Sequence, residues 1–143
     1  MQPSHVLVPM DGSPLAEEAL AHAIAVFDCN VTVLNVITPI DSLLSEGGVL
    51  TVDETRLEAA QQRAEELVDR ASQQAEAVGQ EIETVIEVGE PAEAILAYVE
   101  THDVDHVVMG SHSDTQGRIA RRLLGTVATA VVGDAPVPVT VVR

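Results

Sequence analysis

The sequence predicts a single α/β domain over residues 1–143, built on a doubly wound, five-stranded parallel sheet. A chain of 143 residues suits one domain and leaves no room for two ordinary ones. Short β-branched runs alternate with longer segments of helical periodicity. The short runs are continuously apolar, as in strands that helices cover on both faces. These observations together predict a three-layer α/β/α arrangement.

The first βαβ unit occupies roughly the first quarter of the chain. The apolar run His5–Val8 predicts a strand that ends at Pro9. Ser13 followed by Pro14 predicts a helix start, because serine caps helix N-termini and proline fits the first helical position. The β-branched run Val31–Val36 then predicts the second strand.

A longer connection leads to the second predicted helix. Residues 37–50 read as an irregular loop. Thr51 and Glu54 have the spacing of a capping box, which predicts a helix that continues to about Val78. Gly79 is expected to end that helix, since glycine readily adopts the left-handed conformation found after helix C-termini.

The rest of the chain repeats the alternation of strand and helix. The predicted elements are, in order, the strand Ile82–Val88, a helix that starts at Gly89-Glu90-Pro91, the strand His106–Met109, a helix over about Thr126–Val132 ended by Gly133 and Pro136, and the strand Val137–Val142. The resulting order of elements is that of a doubly wound sheet with five strands.

Charge excludes one class of partner. The chain has 23 acidic residues against 7 arginines and no lysine, for a net charge of −16. Nucleic-acid binding depends on cationic side chains that displace counterions, and only Phe27 and Tyr98 could stack on bases. Nucleic acid is therefore not an expected partner. Such acidity also suggests a halophilic protein, because concentrated salt screens the self-repulsion.

No membrane or secretory segment is expected from the sequence. No apolar run approaches the roughly 18 residues needed for a membrane span, and Met1–Pro9 lacks the pattern of a secretory signal. The lone Cys29 excludes an internal disulfide. We therefore expect a cytoplasmic protein with no membrane partner.

Two segments are expected to meet at a ligand site. In open parallel sheets, ligands bind beyond the carboxyl ends of the strands at the switch point, where Pro9–Ser13 and Gly110–Ser113 would lie. Residues 1–110 contain 21 acids and 3 arginines, a net −18, whereas residues 111–143 contain 2 acids and 4 arginines, a net +2. Arginines 118, 121 and 122 with the helix start at Thr126 suggest a phosphate cradle. The alternative is that these arginines pair with the acidic surface.

The other reactive side chains suggest no catalytic or metal site. Only His102 and His106 have a spacing that could serve a metal, and no cysteine supports them. Ser13 is interpreted as a helix cap, and Asp11 either supports the turn or accepts hydrogen bonds from ribose hydroxyls. No catalytic triad or Walker A pattern is present.

Four segments together resemble the universal stress protein family: Val6–Ser13, Val104–His112, Leu123–Val127 and Ala135–Val139. The resemblance covers the whole chain in the family's motif order. It implies a Rossmann-like fold, a cytoplasmic homodimer linked to stress survival, and binding of ATP or AMP. Mg²⁺ would be needed only if ATP is bound.

The resemblance also implies roles for individual residues. Asp11 would contact the ribose, the Val36 backbone the adenine, and Gly110, Gly125 and Thr126 the phosphates. The implied binding set is Pro9, Met10, Asp11, Val36, Met109, Gly110, His112, Ser113, Gly117, Arg118, Gly125, Thr126 and Val127.

The phosphate loop departs from the family signature Gly-x-x-Gly-x9-Gly-(Ser/Thr). Ser113 stands at the second glycine, and 11 residues rather than nine separate it from Gly125. If Gly117 serves instead, only seven residues intervene. We therefore expect weak discrimination for the γ-phosphate, with AMP or ADP bound at least as well as ATP.

The homodimer is expected to form through the strand Val137–Val142, whose apolar edge could pair with a second copy. One alternative is a family member that binds no nucleotide and acts as a dimerisation or interaction module. Another, from a different functional class, is a weak ATP hydrolase.

Overall fold

The fold is an α/β domain with a five-stranded parallel sheet, as predicted. A computed structural model describes residues 3–38, 54–111 and 124–143. Its strands are β1 His5–Pro9, β2 Asn30–Ile37, β3 Glu83–Val88, β4 His106–Gly110 and β5 Val139–Val142. Its helices are α1 Pro14–Val26, α2 Glu54–Glu76, α3 Pro91–Thr101 and α4 Thr126–Asp134.

The strands lie in the order β3-β2-β1-β4-β5, and all pairs are parallel. The strand order reverses between β1 and β4, because the chain first builds outward through β2 and β3 and then returns to the other side of β1. That reversal is the switch point at which doubly wound sheets bind ligands.

The central strand β1 divides the core into two layers. Val6, Leu7 and Val8 are all fully buried. Val6 and Val8 pack with α1 and α2 on one face, and Leu7 packs with α3 and α4 on the other. Burial of adjacent residues on opposite faces explains why this strand is a continuous apolar run.

Local capping places the helix starts where the sequence predicts them. The Ser13 side chain accepts a hydrogen bond from the Ala16 N–H at 3.2 Å, at the start of α1. At the start of α3, the Glu90 carboxylate accepts from the N–H groups of Ala92 and Glu93. Gly79 follows α2 with a φ of +76°, the left-handed conformation expected of a terminating glycine.

Some predicted boundaries are wrong, for identifiable reasons. The predicted end of the last helix at Gly133 is wrong, since α4 continues to Asp134 and is capped by Ala135. A glycine in a final turn costs only about 1 kcal/mol, which does not stop a helix. The final strand starts at Val139 rather than Val137, because Pro138 has no N–H to donate to the ladder.

The connection from β2 to α2 also differs from the prediction. Ile37, predicted as the first loop residue, belongs to β2. Residues 39–53, which include Thr51 of the predicted capping box, lie outside the described residues.

Strand β3 is not covered on both faces, although the sequence analysis expected this of every strand. Glu83, Thr84, Glu87 and Val88 are exposed, because β3 lies at an edge of the sheet. The irregular apolar pattern of this run agrees with its edge position.

No helix among the described residues is both long and apolar enough to cross a membrane.

The amino end of the sheet is closed by a hydrogen-bonded set of polar side chains. His5 Nε2 lies 2.8 Å from Thr32 Oγ1, and His106 Nε2 lies 2.8 Å from Thr140 Oγ1. The Asp105 carboxylate accepts hydrogen bonds from the backbone N–H groups of Ser4 and His5 and from the Ser4 hydroxyl.

Two of these groups have shifted pKa values. Burial lowers the pKa of His106 and is partly opposed by the charge of Asp105, while His22 adds to the lowering. Burial acts to raise the pKa of Asp105, but its hydrogen bonds to Ser4 and His5 outweigh it, so that pKa lies below its ordinary value. Both shifts favour the states that the side chains have at neutral pH.

His106 should make the fold sensitive to mild acid. Because its folded pKa lies below the unfolded value of about 6.5, its stabilising contribution is complete above that value and is lost as the pH falls through the folded pKa. The melting temperature of the wild type should fall between about pH 7 and pH 5, and His106→Gln should fall less steeply. Equal slopes for the two proteins would contradict this assignment.

Candidate functional site

A cleft of about 840 Å³ opens at the carboxyl ends of β1, β2 and β4, at the switch point. Its walls come from the loop after β1, the end of β2, helix α2, the end of β4 and the first turn of α4. The volume lies in the range of small-molecule sites.

The loop after β1 is tied to β2 by two hydrogen bonds. The Met10 N–H donates to the Leu34 carbonyl at 2.9 Å, and Asn35 Nδ2 donates to the Met10 carbonyl at 2.8 Å. Asn35 is buried, so this second bond also satisfies its amide. The floor of the cleft is therefore held in one position.

Asp11 both supports the turn and remains available to a ligand. Its Oδ1 accepts a hydrogen bond from the Ser13 N–H at 2.9 Å, which fixes the turn before α1. The residue is exposed and lines the cleft, and no described residue donates to Oδ2. One carboxylate oxygen thus stabilises the turn before α1, and the other can accept hydrogen bonds from a hydroxyl.

The backbone N–H and C=O of Val36 point toward the β1 side of β2, at a level beyond the end of β1. The Leu34 carbonyl accepts from Met10 on the β1 side, and the Ile37 carbonyl accepts from Gly89 on the β3 side. Backbone groups alternate between the two neighbours along a strand, so the N–H and C=O of Val36 lie on the β1 side. There, two residues beyond Leu34, which is in the last register pair with β1, they border the cleft.

Gly110 allows β4 to pack closely against α1. A Cβ at this position would lie 2.9 Å from Leu15 Cβ and 3.0 Å from the Leu15 carbonyl carbon. A larger residue would therefore push against helix backbone. The resemblance implies that Gly110 contacts a phosphate, and the structure adds a packing role that sets the position of the α1 start against the end of β4.

Ser111 lies in the segment Gly110–Ser113 that was expected at the switch point, but it is not in the binding set that the resemblance implies. Its N–H donates to the Val142 carbonyl at 2.8 Å, and its carbonyl accepts from the Gly125 N–H at 2.6 Å. Its hydroxyl is buried, with the residue only 1% exposed, and has no hydrogen-bond partner among the described residues. An unsatisfied buried hydroxyl costs about 1–3 kcal/mol, so native proteins seldom retain one without a functional reason.

The first turn of α4, beside Ser111, has no side-chain cap among the described residues. Its N-cap is Gly125, which has no side chain to accept from the helix N–H groups. The starts of α1 and α3, in contrast, are capped by Ser13 and Glu90. The first turn of α4 also contains no acidic residue, so its free N–H groups and helix dipole favour an anion.

Helix α2 forms the opposite wall and brings charge that the sequence analysis did not assign to the site. Ala60, Ala64 and Leu67 supply its apolar surface, and Arg63 and Arg70 line the cleft beside them. The only signal in the sequence was the regular spacing of these arginines along a predicted helix.

The structure brings most of the predicted binding residues together. The cleft is lined by Pro9, Met10, Asp11, Val36, Met109, Gly110, Gly125, Thr126 and Val127. His112, Ser113, Gly117 and Arg118, together with Arg121 and Arg122 of the predicted phosphate cradle, lie outside the described residues.

The two histidines considered as metal ligands lie at the amino end of the sheet. The ring of His102 stacks on Tyr98 with centroids 3.8 Å apart, and His106 contacts Phe27 and Thr140. Within ranges 3–38, 54–111 and 124–143, no three side chains of the metal-binding types cluster.

Known proteins share this fold and sequence pattern over most of their length. The sequence profile of the universal stress protein family matches residues 3–143. A universal stress protein of Methanocaldococcus jannaschii is 34% identical over 143 aligned residues, which cover 96% of this chain and 81% of that protein.

Solved structures agree with that match. The universal stress protein UspA from Lactobacillus plantarum superposes with a TM-score of 0.81 at 26% identity, covering 100% of this chain and 99% of its own. The universal stress protein from Archaeoglobus fulgidus in complex with dAMP superposes with a TM-score of 0.67 at 26% identity, covering 100% of both chains.

Proposed function

This chain belongs to the universal stress protein family, and we propose that it binds an adenine nucleotide in the cleft between β1 and β4 and acts as a regulatory protein of the stress response. The observation that carries the proposal is the buried hydroxyl of Ser111, which has no hydrogen-bond partner among the described residues and lies beside the first turn of α4, where no side chain caps the helix. A hydroxyl and several backbone N–H groups that converge without partners are the donors that a phosphate group needs.

The remainder of the cleft suits a nucleoside. The backbone edge at Val36 offers a donor and an acceptor, which is the pattern that an adenine ring can pair with. Met10, Ile95 and Met109 supply buried apolar surface for a flat ring. Asp11 Oδ2 would accept from ribose hydroxyls. The dAMP complex of the Archaeoglobus fulgidus protein supports an adenine nucleotide as the ligand class.

A binding role is favoured over a catalytic one by the side chains that line the cleft. Among the described lining residues there is no histidine, cysteine or lysine, and the general bases present are the exposed carboxylates of Asp11 and Glu66. The functional groups present are hydrogen-bond donors, two carboxylates and two guanidinium groups. ATP hydrolysis therefore stays the lesser alternative.

Ser111→Ala should separate ligand binding from stability. In the free protein this change removes a buried hydroxyl without a partner, so the melting temperature should stay equal or rise. Affinity for AMP should fall about 10- to 150-fold, the cost of losing a hydrogen bond of roughly 1.5–3 kcal/mol to a charged group. Calorimetric titration and thermal unfolding would measure both effects.

Unchanged AMP affinity in Ser111→Ala would contradict the assigned phosphate position. If the wild type shows no heat with ATP, ADP or AMP at millimolar ligand, the protein is instead a family member that binds no nucleotide.

Asp11→Asn tests the contact to ribose without breaking the turn. Asparagine keeps an oxygen that can accept from the Ser13 N–H, but it loses the charge and the second acceptor. Affinity for AMP should fall about 10- to 150-fold. Asp28→Asn is the matched control, since Asp28 is an exposed aspartate in the turn between α1 and β2, away from the cleft. Equal losses in both variants would mean that net charge, not the ribose contact, sets the affinity.

We also propose a homodimer formed through β5. This strand lies at an edge of the sheet and is only partly buried. The Pro138 and Val142 carbonyls accept from β4, so the backbone groups of Val139 and Val141, which alternate with them, face the free edge. An exposed edge of apolar residues favours pairing with a second copy.

Light scattering should therefore report a dimer at tens of micromolar protein, in dilute buffer and in molar KCl. Val141→Pro removes one N–H at the free edge while leaving the bonds to β4, and it should shift the protein toward a monomer. A monomeric wild type in molar salt would rule out this assembly.

A further inference from the structure

Helix α2 presents a regular row of arginines in a chain that is otherwise strongly acidic. Arg56, Arg63 and Arg70 are separated by seven residues each, which is nearly two helical turns, so they lie on one side of the helix. Arg63 and Arg70 line the cleft, and Arg56 is not among its lining residues. Two of the four arginines among the described residues therefore stand at the proposed binding site.

The position of these arginines is set by the packing of α2. Leu67 lies one turn from each of them, and its Cδ1 is 3.3 Å from where a Cβ on Gly12 would be. Farther along the helix, Gln74 Nε2 donates to the Glu17 carbonyl in the first turn of α1 at 2.9 Å. These contacts place Arg63 and Arg70 on either side of the point where α2 touches the loop after β1.

The arginines and the proposed phosphate position lie on opposite sides of that loop. Gly12 is in contact with Leu67 of α2, whereas the start of α1 that follows it packs against Gly110 at the end of β4. Ser111 and Gly125 come directly after this contact. A single phosphate held at Ser111 would thus leave the side of the cleft that contains Arg63 and Arg70 unused.

Arg63 and Arg70 are not occupied by the described part of the protein. Both are exposed, and within ranges 3–38, 54–111 and 124–143 no ion pair or hydrogen bond engages either guanidinium group. Asp11 and Glu66 are the two acidic residues among the described lining residues, so these charges balance the two arginines. Without the arginines the cleft would add to the repulsion that a chain of net charge −16 exerts on an anion.

We propose that Arg63 and Arg70 bind the outer phosphates of an adenine nucleoside di- or triphosphate, so that the cleft prefers ATP and ADP to AMP. Each further phosphate adds negative charge, and the planar guanidinium group pairs with phosphate oxygens through two parallel hydrogen bonds. This inference rests on the proposed function, because it assumes that the first phosphate lies at Ser111 and α4.

The test compares ATP and AMP binding in charge-neutral variants of α2. Arg63→Gln, Arg70→Gln and the double variant keep a good helix former on an exposed surface, so the fold should be retained, and thermal unfolding verifies this. Arg56→Gln is the matched control, with the same change on the same row of α2 outside the cleft. Calorimetry with ATP and with AMP at one fixed salt concentration gives the two affinities for each protein.

The double variant should lose about tenfold or more in ATP affinity, while its AMP affinity changes by less than about threefold. The ATP affinity of the wild type should also fall more steeply with added KCl than that of the double variant, since fewer charges are paired in the latter. Arg56→Gln should match the wild type for both ligands.

The remaining outcomes separate this inference from the proposed function. If the wild type binds AMP and ATP but the double variant binds both as the wild type does, the arginines do not contact phosphate and the inference is wrong while the function stands. Equal losses for AMP and ATP would likewise overturn the preference for outer phosphates. If the wild type binds no adenine nucleotide, the proposed function fails, and the inference fails with it.

Discussion

Complete burial of β1 is the constraint on which the rest of the structure depends. Val6, Leu7 and Val8 have no exposed surface, so this strand needs apolar cover on both faces at once. Helices α1 and α2 provide one cover, and α3 and α4 provide the other. Crossover connections in parallel sheets are right-handed, so the direction in which the next strand is added decides which face its helix covers. To cover both faces of β1, the chain must add strands on both sides of β1, and the strand order therefore reverses beside it. The reversal leaves a cleft where the two halves separate.

The two ends of this sheet differ in how their polar groups are satisfied. At the amino end, His5, Asp105 and His106 are paired with neighbouring threonine, serine or backbone groups, and this end is closed. At the carboxyl end, Ser111 has a buried hydroxyl without a described partner, and α4 starts without a side-chain cap. The polar groups at the amino end are thus satisfied within the fold, whereas among the described residues the Ser111 hydroxyl at the carboxyl end is not.

Electrostatics limits where an acidic protein of this kind can hold an anion. The net charge of −16 opposes any phosphate-bearing ligand at long range. The first turn of α4 is free of acids, whereas α1 and α3 have Glu17 and Glu93 in their first turns. The cleft therefore combines a helix start without acidic side chains, at α4, with the arginines of α2 on the opposite wall.

The sequence alone predicts the order of elements, the helix starts at Ser13-Pro14 and Glu90-Pro91, the fold class and the edge of the sheet at which the cleft lies. These features follow from periodicity and capping, which act over a few residues. Tertiary packing sets three further features: Gly110 must be small to admit Leu15, the Ser111 hydroxyl is buried with no partner among the described residues, and Arg63 and Arg70 line the cleft. Each of these features depends on contacts between elements far apart in the chain. A local sequence pattern does not show which side chains meet when such elements pack.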